Sequence, residues 1–336
     1  MDEKLVLLGH GSGGGLSHEL IEGVFVRYFA NPLLLPLEDA TVFGFPQGRM
    51  AFTTDSYVVK PLFFPGGDIG RLAVCGTVND LSMRGAQPLY LSAGFIIEEG
   101  FPVSDLERIV ASMATAAKEA GVSIVCGDTK VVERRAADGL YINTAGVGVV
   151  AEGINVSVRN AKPGDAVIVS GTMGDHGVCV LSRRKSLHFR SPLQSDVAPL
   201  NGLARAVLEA SGEVHAMRDP TRGGLATTLK EIATGSSVGI EVEEEQIPVS
   251  DAVRGACEML GLDHLYLANE GKLVAVVADS DASSVLEAMR QDPHGRGASL
   301  IGRVTADHPA MVTIRNPFGA RRILEMLASD QFPRIC

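Results

Sequence analysis

Apolar residues recur along this chain with two alternating rhythms, one of two residues and one of about 3.6, so the pattern predicts interleaved strands and helices. Residues 4–8 predict a short strand, 9–15 a glycine loop, and 16–29 a helix with Leu20, Val24 and an aromatic pair on its apolar side. Alternation over 50–54 predicts a strand that ends at Asp55. Asp68 is placed to cap a helix over 69–84, because Gly85 suits the left-handed position after a helix and Pro88 blocks its continuation. That helix carries Asn79 and Asp80 in its last turns. Ser104 and Glu107 have capping-box spacing, which predicts a helix running to Ala120 and stopped by Gly121, between strands at 90–97 and 123–126. Another strand is expected over 140–150.

A polar turn, Arg159-Asn160-Ala161-Lys162-Pro163-Gly164-Asp165, closes a seam at about 153–164. Beyond it the pattern predicts strands at 166–170, 239–242 and 273–278, helices near 178–184, 197–210, 224–233 and 252–260, and a last helix near 321–327. The chain thus divides into an αβ domain over 1–155, a second over 156–327, and a tail over 328–336. The tail is expected to be mobile, since it offers little for regular packing. The fold class is mixed α+β and α/β.

Composition narrows this picture. A length of 336 residues suits two domains of roughly 150 residues each. Hydrophobic residues at 46% and charged residues at 21% exclude disorder for the bulk of the chain. The longest stretches without a charged residue or histidine, 85–97 and 139–151, fall short of the roughly 20 apolar residues that span a bilayer, so no membrane association is expected. A net charge of −10 argues against nucleic acid as a partner. Met1-Asp2-Glu3-Lys4 lacks the profile of an export signal, which makes the cytoplasm the expected compartment. No two cysteines have Cys-x-x-Cys spacing. Cys75, Cys126, Cys179 and Cys257 read as small core residues, and Cys336, last in the sequence, as an exposed thiol.

Several short motifs carry chemistry. Gly9-His10-Gly11-Ser12-Gly13-Gly14 has the G-x-G-x-x-G spelling, whose glycines let backbone amides approach phosphate. The alternatives are a dinucleotide site, another nucleotide site, or a loop without ligand. Asp55, Asp80 and Asp128 each follow an apolar segment, and a trio of carboxylates could hold Mg²⁺ on a triphosphate. They could equally be three unrelated turn or capping residues. Asp219-Pro220-Thr221-Arg222-Gly223-Gly224 puts a carboxylate, a hydroxyl and a guanidinium at a helix start, a set suited to anions or to a plain cap. Glu270, in Asn269-Glu270-Gly271-Lys272 between two strand-like runs, is either a base or ligand or the closure of a tight turn. No Walker, zinc-hydrolase or serine-hydrolase pattern occurs.

Taken in order, His10-Gly11-Ser12-Gly13-Gly14, Thr54-Asp55-Ser56, Val78-Asn79-Asp80-Leu81-Ser82-Met83-Arg84-Gly85-Ala86, Gly127-Asp128-Thr129-Lys130, Asp219-Pro220-Thr221-Arg222-Gly223-Gly224 and Asn269-Glu270-Gly271 resemble the aminoimidazole ribonucleotide synthetase superfamily. The ending Pro333-Arg334-Ile335-Cys336 is similar to the C-terminal signature of the hydrogenase-maturation carbamoyl dehydratases within it. The likeness spans essentially the whole chain. It implies ATP-dependent dehydration of a carbamoyl group carried on Cys336 to a thiocyanate, for the cyanide ligands of the [NiFe] cluster. ATP and Mg²⁺ would be the cofactors. The implied metal residues are Asp55, Asp80 and Asp128, and the implied ATP and phosphate residues His10, Gly11, Gly13, Gly14, Asn79, Asp219, Thr221 and Arg222. Lys130 and Glu270 would act with Cys336 on the acyl group. The resemblance also implies a homodimer sharing a β-barrel built from the N-terminal domains, loading by a HypF carbamoyltransferase, and cyanide transfer to a HypC–HypD complex.

Other readings are a superfamily member that phosphorylates an oxygen or selenium substrate, and a non-enzymatic scaffold tethering partners through its tail. Selenophosphate synthesis is disfavoured because the first cysteine is Cys75. An NAD oxidoreductase would rest on the glycine loop alone.

Overall fold

The computed structural model describes residues 4–12, 14–37, 40–184 and 193–326. The N-terminal region opens with a 3-10 turn at Leu8–Gly11, then α1 (Gly15–Leu20), a π turn at Ile21–Val26 and α2 (Arg27–Phe29). The 16–29 helix is therefore present with a widened middle turn, and Leu20, Val24, Phe25 and Phe29 are its buried side. Residues 4–8 form no strand: Leu5 makes an isolated bridge with Pro102, and Leu8 already belongs to the 3-10 turn. Next come β1 (Arg49–Tyr57), β2 (Phe63–Phe64), β3 (Gly67–Asp68), α3 (Ile69–Met83), β4 (Ala86–Glu98), α4 (Val103–Ala120), β5 (Ser123–Val132) and β6 (Leu140–Val150).

Strands β1, β6, β4 and β5 form one sheet in that order, parallel only between β4 and β5. One face carries α3 and α4. Helix α3 starts where Asp68 accepts the amides of Gly70 and Arg71 at 2.7 and 3.1 Å, and Gly85 follows it at φ +71°. Almost every residue of α3 is buried, because it lies between the sheet, α4 and the C-terminal domain. Helix α4 begins at Val103, with Pro102 rather than Ser104 at the cap. The expected Ser104–Glu107 capping box gives way to a backbone bond from Val103 N–H to the Lys4 carbonyl at 2.9 Å.

The C-terminal region contains β7 (Ala166–Val169), α5 (Asp175–Ser182), α6 (Asn201–Ala210), β8 (Val214–Arg218), α7 (Gly224–Ser236), β9 (Gly239–Glu243), α8 (Asp251–Leu260), β10 (Val274–Val277), α9 (Ala282–Gln291), β11 (Ser299–Thr305), β12 (Val312–Arg315) and β13 (Arg321–Leu324). Its sheet runs β13-β12-β9-β11-β7-β10-β8, parallel only between β12 and β9. Val167, Val169, Val274 and Val276 point into one core, and Ala166, Ile168, Ala275 and Val277 into the other. Burial on both faces explains why β7 and β10 read as continuous apolar runs. The helix expected at 321–327 is instead β13, paired antiparallel with β12 from Arg321–Arg315 to Leu324–Val312. Cross-strand pairing overrides the helix-compatible sequence Arg-Arg-Ile-Leu. Strand β8, α9, β11 and β12 have no counterpart among the expected elements. The tail with Cys336, and Gly13, lie outside the described residues.

Asp68→Ala removes the one oxygen that accepts both cap hydrogen bonds and is expected to cost about 1 kcal/mol. A lowered urea midpoint at unchanged slope is the measurement that checks it.

Candidate active site at the domain seam

The sheet register decides which expected site residues can meet. Asp55 pairs with Thr144, Thr144 with Ala93, and Ala93 with Gly127, so the Asp55 and Gly127 positions are three strand spacings apart, about 14 Å. Asp128 itself lies on the next row. Thr144 is buried and its hydroxyl donates to the Ala73 carbonyl at 3.0 Å, so the Asp55 row faces α3. Asp128 pairs with Gly94 and thence Asn143, the row on the uncovered face. The Asp55–Asp80–Asp128 trio is thus not assembled within one chain, because period-two alternation sends Asp128 to the opposite face. Strand β5 runs on past the expected end at Cys126, and both Asp128 and Lys130 lie in it.

Two groups result. The first straddles the two domains. Asp80, on α3, accepts from the Thr53 hydroxyl of β1 at 3.0 Å. Arg222, from the turn after β8, approaches Asp55 to 3.8 Å. Asp219 begins that turn, folded by Thr221 N–H to the Asp219 carbonyl at 3.0 Å and Gly224 N–H to the Thr221 carbonyl at 2.9 Å. Gly224 must be glycine here. It has φ +60°, and a Cβ would sit 2.5 Å from the Leu265 carbonyl. Glu270 stands buried in a turn that follows the His264–Tyr266 3-10 turn, rather than between two strands. Beside this group a cavity of about 550 Å³ opens between the domains, lined by Thr53, Asp80, Arg84, Arg159, Arg218 and Glu231 among others.

Two asparagines hold the seam. Asn79 donates to the Ala198 and Glu270 carbonyls at 3.1 and 3.4 Å and accepts the Leu200 amide at 2.7 Å. Expected at the phosphates, its amide nitrogen is instead engaged in clamping α3 to the C-terminal domain. Asn269 accepts the Gly174 amide at 2.7 Å and donates to the Pro220 carbonyl at 3.0 Å, tying the Asp219 turn to the Glu270 turn.

The second group lies at the β5 edge. Asp128 and Lys130 pair at 2.8 Å with both side chains mostly exposed, and the lysine holds the Asp128 carboxyl below its ordinary range. The 3-10 turn packs on the same strand, since a Cβ at Gly11 would lie 2.7 Å from the Val131 amide. Close packing on β5 therefore accounts for Gly11. His10 turns inward, its Nδ1 accepting the Leu7 amide at 2.8 Å, and Gly14 is the N-cap of α1. Cys75, Cys179 and Cys257 are buried as expected, and burial pushes Cys75 up to about 12, whereas Cys126 is half-buried on the open face.

Electrostatically the first group is under tension. Burial, then the Asp80 charge, raises Asp219 to about 7. Burial followed by Asp219, Asp196 and Asp55 raises Glu270 well above the usual carboxyl range, with Arg222 opposing. Burial also raises Asp80. One oxygen each of Asp219 and Glu270 is buried without a hydrogen-bond partner. Among the described residues no three His, Cys, Asp or Glu side chains form a ready metal cage. A hard cation that brings phosphate and water ligands needs only one or two carboxylates, and the Asp55–Asp80 pair fits that demand. The contributors absent from the expected set are Thr53, Arg218, Asp196 and Lys272. Asp196 has no sequence signal, since it falls in an aperiodic segment.

The AIR synthase related N-terminal domain model matches residues 37–150, and the AIR synthase related C-terminal domain model residues 162–314. Two αβ domains of this type, meeting along an acidic seam, define that class. The chain is 54% identical to the carbamoyl dehydratase HypE of Rhizobium leguminosarum bv. viciae over 98% of this chain and 94% of that protein. It superposes on a crystal structure of hydrogenase maturation protein HypE in complex with ATP at TM-score 0.94, with 51% identity and coverage of 98% and 99% of the two chains. Against a HypE–HypF complex structure the values are 0.81, 55%, 92% and 99%. The chain belongs to the HypE carbamoyl dehydratase family. Among the described residues no helix is long and apolar enough to cross a membrane.

Because the folded pKa of Asp219 lies above its unfolded value, its contribution to stability is full below about pH 4 and is lost as pH rises through about 7. Asp219→Asn is expected to flatten the decline of stability between pH 4 and 7, as read from urea midpoints across that range.

Proposed function

We propose that this chain is an ATP-dependent carbamoyl dehydratase of [NiFe]-hydrogenase maturation, converting a carbamoyl group on Cys336 to a thiocyanate. The carrying observation is 54% identity to a carbamoyl dehydratase over 98% of the chain, joined to a buried carboxyl group, Glu270, with an unpaired oxygen at the seam. Phosphoryl transfer from ATP to the carbamoyl oxygen, with loss of one N–H proton, gives S–C(=NH)–O–phosphate. Loss of the second N–H proton with departure of phosphate leaves S–C≡N, so the oxygen removed ends in phosphate.

Phosphoryl transfer depends on alignment and charge neutralisation. Asp55 and Asp80 would hold Mg²⁺, which supplies charge neutralisation on the phosphates. Arg222 and Thr221 stand at the start of α7, where a guanidinium, a hydroxyl and helix amides suit phosphate oxygens. Asp219, close enough to Asp80 and Asp55 for their charges to raise its carboxyl group, would add to the negative field that draws a cation to this pair. Glu270 takes the N–H proton and Lys130 stabilises charge on the acyl oxygen.

A homodimer brings the two groups together in this reading. The uncovered sheet face exposes Met50, Phe52 and Ile96, and β1 and β5 are its edges. Pairing the β1 edge of one subunit with the β5 edge of another closes a barrel. It also sets Asp128, Lys130 and the His10–Gly14 loop beside the other subunit's Asp55 and Asp80. Asp128 then joins the cation site across the interface. HypF loads the carbamoyl group, and a HypC–HypD complex takes the cyanide. The likeness to the HypE–HypF complex supports the first of these partners.

Full-length protein carbamoylated by the transferase is expected to lose about 18 Da, one water, on addition of ATP, as read by intact-mass spectrometry. Cys336→Ala should accept no carbamoyl group, and cyanide delivery undiminished in that variant would overturn the reading. Lys130→Ala should lower turnover by roughly 100-fold or more while ATP binding falls little. Equal losses of both would remove the lysine from the chemistry.

A further inference from the structure

Beneath Glu270 lies an ion pair that the reaction as described does not use. Asp196 and Lys272 meet at 3.0 Å with side chains only 5% and 12% exposed. The second lone-pair face of the aspartate is also engaged, since Oδ1 accepts the Glu270 backbone amide at 3.0 Å. The turn bearing Glu270 presses directly on this residue, for a Cβ at Gly271 would fall 1.7 Å from the Asp196 carbonyl oxygen. The same segment is fixed to the N-terminal domain through Val197, whose carbonyl accepts Arg71 Nε at 3.0 Å, and through the Asn79 clamp.

We propose that Asp196 and Lys272 are positioning residues for Glu270: the buried pair anchors its backbone and stands a fixed negative charge beside its carboxyl group. Lys272 makes this possible. A buried carboxylate without a countercharge would take up a proton, and its field would vanish. Burial opposes ionisation of Asp196, but Lys272, His176 and the Glu270 amide outweigh it and hold its carboxyl below the ordinary range. Asp175, near the lysine on α5, is the other charged group facing the pair. The groups facing Glu270 are Asp219, Asp196, Asp55 and Arg222. With three anions against one cation, Glu270 rests as the neutral acid. It becomes a proton acceptor when positive charge arrives at the seam, so acceptance is coupled to occupancy of the site.

This inference rests on Glu270 being the proton acceptor, and the experiment separates the two claims. Dehydration by carbamoylated full-length protein is followed by intact mass across pH for wild type, E270Q, D196N and K272R, with thermal unfolding recorded for each. Wild-type rate should rise with pH as Glu270 ionises. D196N removes one neighbouring negative charge and should move that rise down by roughly one pH unit. K272R keeps the pair and should keep the wild-type profile. Should D196N fail to fold because it strands the buried Lys272 ammonium, D196N/K272M removes both charges and should show a smaller displacement in the same direction, since Asp196 is the nearer charge and accepts the Glu270 amide. A folded variant without the Asp196 charge whose profile superimposes on wild type, beside an inactive E270Q, overturns the positioning role and leaves the proton acceptor standing. An E270Q as active as wild type overturns both.

Discussion

Negative charge held out of water is the constraint around which this molecule is organised. Asp80, Asp219 and Glu270 converge on the seam from α3, from the turn after β8 and from the turn before β10, and burial drives the carboxyl group of each upward. Such a group ordinarily stays neutral or finds a cation. Beside them Asp196 has a close cationic partner in Lys272. The remaining acids are poised for a positively charged visitor or a proton, and holding them so requires a scaffold that does not relax. Asn79 and Asn269 provide it by bonding across segments distant in sequence, the first to Ala198 and Leu200, the second to Gly174 and Pro220.

The same scaffold separates residues that the proposed chemistry brings together. A strand has two faces, and in the four-stranded sheet the helix-covered face carries Thr53 and Asp55 while the uncovered face carries Asp128. The proposed sheet-closing dimer would answer three features together, the exposure of Met50, Phe52 and Ile96, the unpaired edges of β1 and β5, and the division of the charged residues. Shape and chemistry then favour the same arrangement, a consistency expected of a sequence selected for one structure.

Legibility in the sequence varied with how local the determining force was. The α3 helix could be placed from Asp68, Gly85 and Pro88, because capping and positive-φ preferences act within a few residues. Strand β6 could be placed because one of its faces is buried, which leaves a clean alternation. Strand β5 could not be followed past Cys126, since Gly127 has no side chain and Asp128 and Lys130, on the open face, carry no apolar signal. At β13, four residues are too few to reveal a period, and pairing with β12 made the choice. Helix α4 starts two residues early, where Lys4, far away in sequence, accepts the Val103 amide.

By itself the sequence determined the alternation of strands and helices, the absence of long apolar spans among its segments, and the residue types of the site, because propensity, capping and composition are properties of neighbours along the chain. The tertiary structure alone decided that Asp128 parts from Asp55 and Asp80, that Asn79 serves as a clamp, and that Asp196 and Lys272 lie beneath Glu270. Register, burial and the field of a buried charge depend on distances through space, and those exist only once the two sheets have closed around α3.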